Sequence, residues 1–146
     1  KMELVFVPEN ELCAACKLVR ELAKTDAKQT RAAAKPLQGT IIRNTHFHHD
    51  VNITGTSIRE WTNQPHKHFK AKNQMLLDIN NVFSNAAYLG TTDNHKGIKR
   101  VVQSHIFEVE VSGEKNLLIV REYDWGEYVL HSISDSPELY NKIKKE

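Results

Sequence analysis

The sequence has no long apolar run, and this absence argues against a membrane-spanning helix. No stretch approaches the roughly 20 consecutive apolar residues that a membrane-spanning helix needs. The N-terminus also lacks the basic segment followed by a long apolar one that marks a secretory signal. We therefore expect a cytoplasmic protein. Because the chain opens with Lys1 rather than Met, it is also compatible with a fragment of something longer.

Cysteine and net charge are both low. The two cysteines, Cys13 and Cys16, stand three apart in a helix-like stretch, where a structural disulfide does not form easily, so a reducing compartment is expected. A net charge of +2 does not by itself indicate a nucleic-acid-binding protein. The 146 residues are 40% hydrophobic and 26% charged, as expected for one globular domain with its own core.

The charge that is present is unevenly distributed. Residues 66–105 contain six basic and two acidic residues, a local charge of +4, so the rest of the chain carries −2. Four of the eight histidines lie in the same segment. This pattern suggests an anionic ligand, although charge runs more often form a solvated face.

The first third of the sequence predicts a strand, a long helix and a strand-like stretch. Residues 2–8 predict a strand stopped by Pro8, and residues 9–34 are rich in helix formers, with Pro36 ending the run. Residues 39–57 are Thr-rich and strand-like. One face of the helix is expected to carry the residues spaced three and four apart, namely Leu12, Cys16, Val19 and Ala23.

The remainder predicts helices followed by consecutive strands, which is the order of an α+β domain. Helices are expected over about 57–61, 66–79 and 79–86, and a last one from Pro137 that carries Lys142, Lys144 and Lys145 in its final turns. Strands are expected at YLGTT and over about 101–111, 116–123 and 127–134, with turns at Ser112-Gly113 and Trp125-Gly126.

The densest histidine cluster is THFHHD. It resembles the metal-binding signature of the metallo-β-lactamase superfamily at His46, His48 and Asp50, but Val51 stands where that signature requires a histidine. A structural zinc site formed by Cys13, Cys16, His46 and His48 is a second hypothesis. The plainer interpretation is that Cys16 packs in the core and the histidines decorate a strand.

More dispersed residues predict a different site. His68 and Lys72 share one helix face, and His66 lies in the first turn, where the helix dipole attracts anions. Alternation along the three strands puts His105, Arg121 and Ser134 near the ends of apolar stripes. We expect antiparallel pairing to align these three on one polar floor, although each alone is also compatible with a satisfied core or boundary residue.

Such a set is typical of metal-independent RNA cleavage. Two imidazoles can act as general acid and general base, and a guanidinium or ammonium group with a hydroxyl can hold a phosphate. RNA supplies its own nucleophile, the 2′-hydroxyl, so clustered carboxylates and metal ions are not needed.

Three stretches in order carry a family resemblance: NQPHKHFKAKNQMLLDINNVFSNAAYLG, SHIFEVEVSGEKNLLIVRE and HSISD. Over about residues 56–140 the chain resembles phage- and mobile-element-associated nuclease domains of the barnase/EndoU/colicin/RelE-like (BECR) group. The resemblance implies N-terminal helices followed by a four-stranded antiparallel sheet and a C-terminal helix. Residues 1–55 would then be a separate segment that packs on, or extends, the nuclease domain over residues 56–146.

The resemblance also implies an activity and a site. The expected activity is an endoribonuclease, a phage- or toxin-associated effector in a bacterial or phage-infected cell, with RNA (tRNA as one candidate) as substrate and a cognate inhibitor protein as partner. No cofactor or metal is expected. The implied catalytic residues are His66, His68, Lys72, His105, Arg121 and Ser134, and the phosphate-binding residues are Lys67, Lys96, Lys99 and Arg100. A catalytically inactive interaction module of the same fold and a zinc-stabilised domain are the alternatives.

Overall fold

The computed structural model of the chain describes residues 14–63, 67–94 and 96–144. The predicted strand over residues 2–8 therefore lies outside the described residues, as do His66 and Lys145. In chain order the elements are α1 (Ala14–Ala34), a 3-10 turn (Lys35–Leu37), β1 (Ile41–Ile42), β2 (Val51–Asn52), α2 (Gly55–Thr62), α3 (Phe69–Leu77), α4 (Ile79–Asn85), β3 (Ala87–Asp93), β4 (Val101–Val111), β5 (Glu114–Tyr123), β6 (Tyr128–Ser134) and α5 (Pro137–Asn141).

The long helix α1 packs on α2 and α3 through a stripe of small side chains. The stripe repeats every three or four residues, as one face of an α-helix must, and consists of Ala23, Ala27, Thr30 and Ala34. Asn73 of α3 donates a hydrogen bond of 2.7 Å to the Asp26 carboxylate and fixes the pairing of the two helices. Of the residues expected to share one helix face, Ala23 is buried, whereas Val19 is 49% exposed.

The sheet has six strands in the order β1-β2-β6-β5-β4-β3. Strands β3 to β6 form the predicted four-stranded antiparallel sheet. The prediction undercounted the strands, since β1 and β2 extend this sheet and β2 runs parallel to β6, which makes the sheet mixed. Each added strand is only two residues long, too short to show an alternating pattern in the sequence.

The register of β4 and β5 corrects the predicted polar floor. A two-residue turn, Ser112-Gly113, joins the strands, and both residues have the positive φ of a type I′ hairpin. Odd-numbered residues of β4 therefore pair with even-numbered residues of β5: His105 pairs with Val120, and Ser104 with Arg121. Because directly paired residues point to the same side of a sheet, His105 and Arg121 lie on opposite faces.

The two faces of the sheet are covered differently. The core face packs against α2, α3 and α4 through a large apolar cluster that includes Trp61, Phe83 and Phe107. The opposite face carries buried Ile106 and Leu117 and is partly covered by the C-terminal segment, which lines a groove over it. This opposite face carries the polar groove described below.

Helix α5 is shorter than predicted. It ends at Asn141, so the predicted placement of three lysines in its final turns was wrong for Lys142 and Lys144. Lys144 instead exchanges two backbone hydrogen bonds with Thr91 at the edge of β3. The C-terminal segment thereby covers the edge of β3 at Thr91, which reduces the risk that this edge pairs with a strand of another molecule.

Helix α2 confirms the predicted helix at 57–61. Its first turn is closed by a capping box, in which Thr54 Oγ1 accepts from the Ser57 amide and Ser57 Oγ accepts from the Thr54 amide. The predicted helix over 66–79 is shorter in the structure, because α3 begins at Phe69 after His68 adopts a left-handed conformation (φ 55°). The short helix predicted over 79–86 is confirmed as α4.

Candidate functional site

A groove of about 440 Å³ lies on the sheet face opposite the core. We call it the Arg121 groove. It is formed by the loop after β3, by strands β4 to β6, and by the C-terminal segment around α5. Its polar lining includes Glu60, Asp93, Asn94, Lys96, Ser104, Arg121, His131, Ser132, Ser134, Ser136, Glu138 and Lys142.

Arg121 lies close enough to His131 to affect the protonation of its imidazole. Burial, together with the positive charges of Arg121 and Lys96 and against an opposing effect of Glu60, lowers the pKa of His131 to about 4. The imidazole is therefore neutral at pH 7, and its ring nitrogens comprise one donor and one acceptor. The guanidinium can receive an anion, and the neutral imidazole offers one unprotonated ring nitrogen beside it.

Hydroxyl groups line the same groove because side chains alternate along strands. Ser104 pairs with Arg121, Ser132 with Ile119 and Ser134 with Leu117, so all three serines point to this face. Together with the cation of Arg121, they offer the donors that phosphate oxygens require.

The structure places three of the predicted residues in this groove. Arg121, Ser134 and Lys96 all line it. Lys99 is exposed in the loop that follows, and Arg100 turns away with a positive φ of 68°. The Arg100 guanidinium donates to Asp124 at 3.1 Å and stands 4.9 Å from the Trp125 ring centroid.

His105 is buried on the other face and is fully engaged there. Its Nε2 lies 2.7 Å from a Glu122 carboxylate oxygen, and its Nδ1 lies 2.9 Å from the Tyr88 hydroxyl. The ring also packs against Phe47, with centroids 4.8 Å apart. This arrangement satisfies both ring nitrogens within the fold.

Glu122 is held ionised by the same cluster. Burial raises its pKa, but hydrogen bonds from Gln103 and His105, and the charges of His105 and His49, outweigh burial and bring the pKa below its ordinary value. His49 in turn stacks on Tyr128 with ring centroids 4.2 Å apart. The loop after β1 is thereby pinned to the sheet.

The predicted basic helix residues lie at the far end of the sheet. His68 Nε2 and Lys67 Nζ contact a Glu114 carboxylate oxygen at 3.2 and 3.0 Å. Glu114 pairs with Val111, which lies six residues or about 20 Å along β4 from His105, so the side chains bound to Glu114 are remote from His105. These residues cannot act on one phosphate together with His105 or Arg121.

Lys72 is buried near the same end. Its side chain is 2% exposed, and its Nζ lies 3.9 Å from an Asp135 carboxylate oxygen. Its backbone carbonyl accepts a hydrogen bond of 2.8 Å from the Trp61 indole. Lys72 thus ties α3 to α2 and to the end of β6, and it does not line the groove.

The histidine-rich stretch contributes Phe47 to the core face of the sheet. Asp50 accepts a hydrogen bond of 2.8 Å from Arg43, and His46 and His48 are exposed. Within residues 14–63, 67–94 and 96–144, no group of three or more His, Cys, Asp or Glu side chains is arranged to hold a metal ion. Cys13, which the zinc hypothesis requires, lies outside this part of the chain.

Sequence reasoning missed His131, Ser104 and Ser132. The alternation along the last strand put Leu130 and Ser132 on one face and His131 on the other. A β-bulge between Ile119 and Val120 changes this, because Ser132 pairs with Ile119 while Leu130 pairs with Val120 on the core face. The extra residue, His131, faces the groove.

Comparisons with known proteins identify a family. Residues 21–140 match the family described as large polyvalent protein-associated domain 3. No curated protein and no solved structure matches the chain. In the part of the chain that the structure describes, no helix is long and apolar enough to cross a membrane. The matched region includes α2 to α4, the four antiparallel strands and all residues of the Arg121 groove except Lys142, and the chain therefore belongs to the phage- and mobile-element-associated family of large polyvalent protein-associated domain 3.

Proposed function

We propose that the chain is a metal-independent endoribonuclease that works in the Arg121 groove. The observation that carries the proposal is the pairing of a neutral, partly buried His131 with the Arg121 cation on the open face of an antiparallel sheet. The serines beside them supply hydrogen bonds to phosphate oxygens, and Lys96 adds a second cation.

The proposed reaction uses the 2′-hydroxyl of RNA as nucleophile. His131 takes the proton of that hydroxyl while its oxygen attacks phosphorus, and the bond from phosphorus to the 5′-oxygen breaks. The products are a 2′,3′-cyclic phosphate and a 5′-hydroxyl, and the proton held by His131 passes to the departing 5′-oxygen. Arg121 and Lys96 stabilise the negative charge that gathers on the phosphate oxygens.

The groove also explains how one imidazole can serve both steps. In the free protein, Arg121 and Lys96 lower the pKa of His131. A bound phosphate neutralises part of that positive charge, so the pKa of His131 rises toward the pH of the reaction. General acid–base catalysis is most effective when the two are close.

This proposal keeps the predicted activity and changes its acid–base residues. His68 and His105 were expected to share these roles, but they lie at remote positions along the sheet and both are hydrogen-bonded to glutamates. Arg121 and Ser134 keep the phosphate-binding and supporting roles that the sequence suggested.

Cleavage of RNA in the presence of a chelator tests the proposal. Purified protein is incubated with tRNA and total RNA in EDTA, and the products are analysed for cyclic phosphate ends. We expect cleavage of RNA and none of DNA, and at least a 100-fold loss of rate in His131→Ala. Arg121→Ala should lose a similar or larger factor, with Arg121→Lys recovering only part of it.

Matched variants outside the groove control for general effects. His48→Ala removes an exposed histidine from the loop on the core-face side, and Arg43→Ala removes an exposed arginine. Both should cleave like the wild type. Absence of cleavage by wild-type protein in EDTA, or full activity of His131→Ala, would show that the proposal is wrong.

A protein-interaction role is the second candidate. It is favoured by an apolar patch on α1, where Leu18, Val19 and Leu22 are 59%, 49% and 48% exposed. In this case overexpression should leave growth normal, and Leu18→Asp should abolish association with a protein partner without changing any RNA cleavage.

A further inference from the structure

A second pocket adjoins the Arg121 groove at the turn between β5 and β6. It has a volume of about 290 Å³ and shares Arg121 and His131 with the groove. Its remaining walls include Tyr123 and Trp125, and threonine and serine side chains at the start of α2. An aromatic wall is therefore continuous with the cationic groove.

Trp125 is an exposed aromatic side chain that the structure holds in place. It is 52% exposed, and its ring stacks on Tyr123 with centroids 4.6 Å apart and planes 29° apart. Its indole Nε1 donates to Glu127 at 3.1 Å, and Glu127 also accepts from Asn52 at 2.8 Å. A large apolar ring fixed at the surface, rather than buried, is typical of a surface that binds a planar ligand.

The aromatic pair of Tyr123 and Trp125, here called the platform, lies close to the proposed phosphate site because Tyr123 is on the same strand as Arg121. Arg121 and Tyr123 are two residues apart, so their side chains point to the same face about 7 Å from each other. A nucleotide whose phosphate contacts Arg121 can therefore reach the aromatic pair with a neighbouring base. Stacking on aromatic side chains next to a cationic track is how proteins bind single-stranded nucleic acid.

We propose that Trp125, supported by Tyr123, is the binding site for a nucleobase of a single-stranded RNA whose phosphate lies in the Arg121 groove. The assignment rests on the proposed ribonuclease function for its ligand class. The base takes the position over the indole that the Arg100 guanidinium occupies in the free chain. The Arg100–Asp124 ion pair is exposed, so Arg100 is readily displaced.

The fluorescence of the two tryptophans provides a direct test. Trp61 is completely buried and Trp125 is half exposed, so a ligand that stacks on the surface affects Trp125. The probe is a 2′-O-methyl oligoribonucleotide, which lacks the nucleophile and cannot be cleaved by the proposed reaction. We expect saturable quenching by this probe and none by an abasic oligomer of the same length.

Variants of the platform separate stacking from phosphate binding. Trp125→Leu should weaken binding of the 2′-O-methyl oligomer about tenfold or more, and Trp125→Phe should restore part of the loss. Leu18→Ala, at an exposed apolar residue on α1, is the matched control and should bind like wild type. Because Trp125 is exposed, thermal denaturation midpoints of these variants should remain close to that of wild type.

The outcomes distinguish this inference from the ribonuclease proposal. Quenching by the 2′-O-methyl oligomer without cleavage of native RNA would support the base site and refute the ribonuclease. Cleavage that is unaffected by Trp125→Leu, with no quenching at saturation, would refute the base site alone. Equal quenching by the abasic oligomer would also refute it, because the sugar-phosphate backbone would then account for the signal.

Discussion

The titration of His131 is the most quantitative consequence of the groove. Its pKa falls from an ordinary value of 6.5 to about 4, chiefly because the side chain is buried and secondarily because of the charge of Arg121. Between about pH 4 and pH 6.5, the His131 imidazole is therefore protonated in the unfolded chain and neutral in the folded chain. Because the unfolded state binds the extra proton, the free energy of unfolding decreases as pH falls below 6.5, and the whole decrease is reached below about pH 4.

The size of the penalty follows from the shift. A change of this size corresponds to about 3.4 kcal/mol for a fully buried group at ~1.36 kcal/mol per pH unit. His131 is only partly buried, so solvent screening reduces the expected contribution to about 1–2 kcal/mol. Replacing His131 with the neutral glutamine removes the penalty, and His131→Gln should gain this amount relative to wild type between pH 7 and pH 4.5.

Urea denaturation at the two pH values measures the effect. With a urea slope of about 2 kcal/mol per molar, the midpoint difference between wild type and His131→Gln should change by about 0.5–1 M between pH 7 and pH 4.5. His48→Gln is the matched control at an exposed histidine and should follow wild type at both values.

Direct observation of the imidazole by NMR completes the test. The His131 ring should titrate near pH 4 in the free protein, and inorganic phosphate should move the midpoint upward, because it neutralises Arg121. A midpoint near 6.5 without phosphate, or a His131→Gln variant that follows wild type at both pH values, would refute the electrostatic description of the groove.

Three further substitutions test the fold around the site. Gly90→Ala places a Cβ 2.2 Å from the Lys144 carbonyl oxygen at a φ of +136°, so it should detach the C-terminal segment and cost about 2 kcal/mol or more in urea unfolding. His105→Ala removes one of the two hydrogen bonds to Glu122, since Gln103 still donates to it, and opens a cavity, so it should cost about 2–3 kcal/mol while the folded fraction cleaves RNA at the wild-type rate. Thr54→Ala removes the cap of α2 and should lower the unfolding free energy by about 1 kcal/mol, measured in the same way.

The four antiparallel strands could be predicted because they carry their own signals. Alternation of apolar residues over 101–111 and 116–123 and the turn residues Ser112-Gly113 and Trp125-Gly126 predict a meander, and the structure contains it. Strands β1 and β2 could not be predicted in the same way, because a two-residue strand is defined by its partner and not by its own periodicity.

The error over His105 and Arg121 has a definite source. The turn Ser112-Gly113 was identified from the sequence, and a two-residue loop requires that odd positions of one strand pair with even positions of the next. The predicted turn and the predicted polar floor were therefore incompatible. The bulge that brings Ser132 to the groove face is different, because no turn residue or composition change indicates it.

The distribution of histidines explains why density was a poor guide to the site. The loop holding His46, His48 and His49 covers the core face, where Phe47 packs against His105 and Phe107 and His49 stacks on Tyr128. Aromatic and imidazole rings are concentrated there because they close the edge of a hydrophobic core. The opposite face receives the side chain of every second residue of each strand, so the residues that meet in its groove are necessarily scattered in sequence. In an antiparallel sheet with one helix-covered face, functional residues on the open face are therefore found by fixing strand register first and only then asking which polar residues share a side.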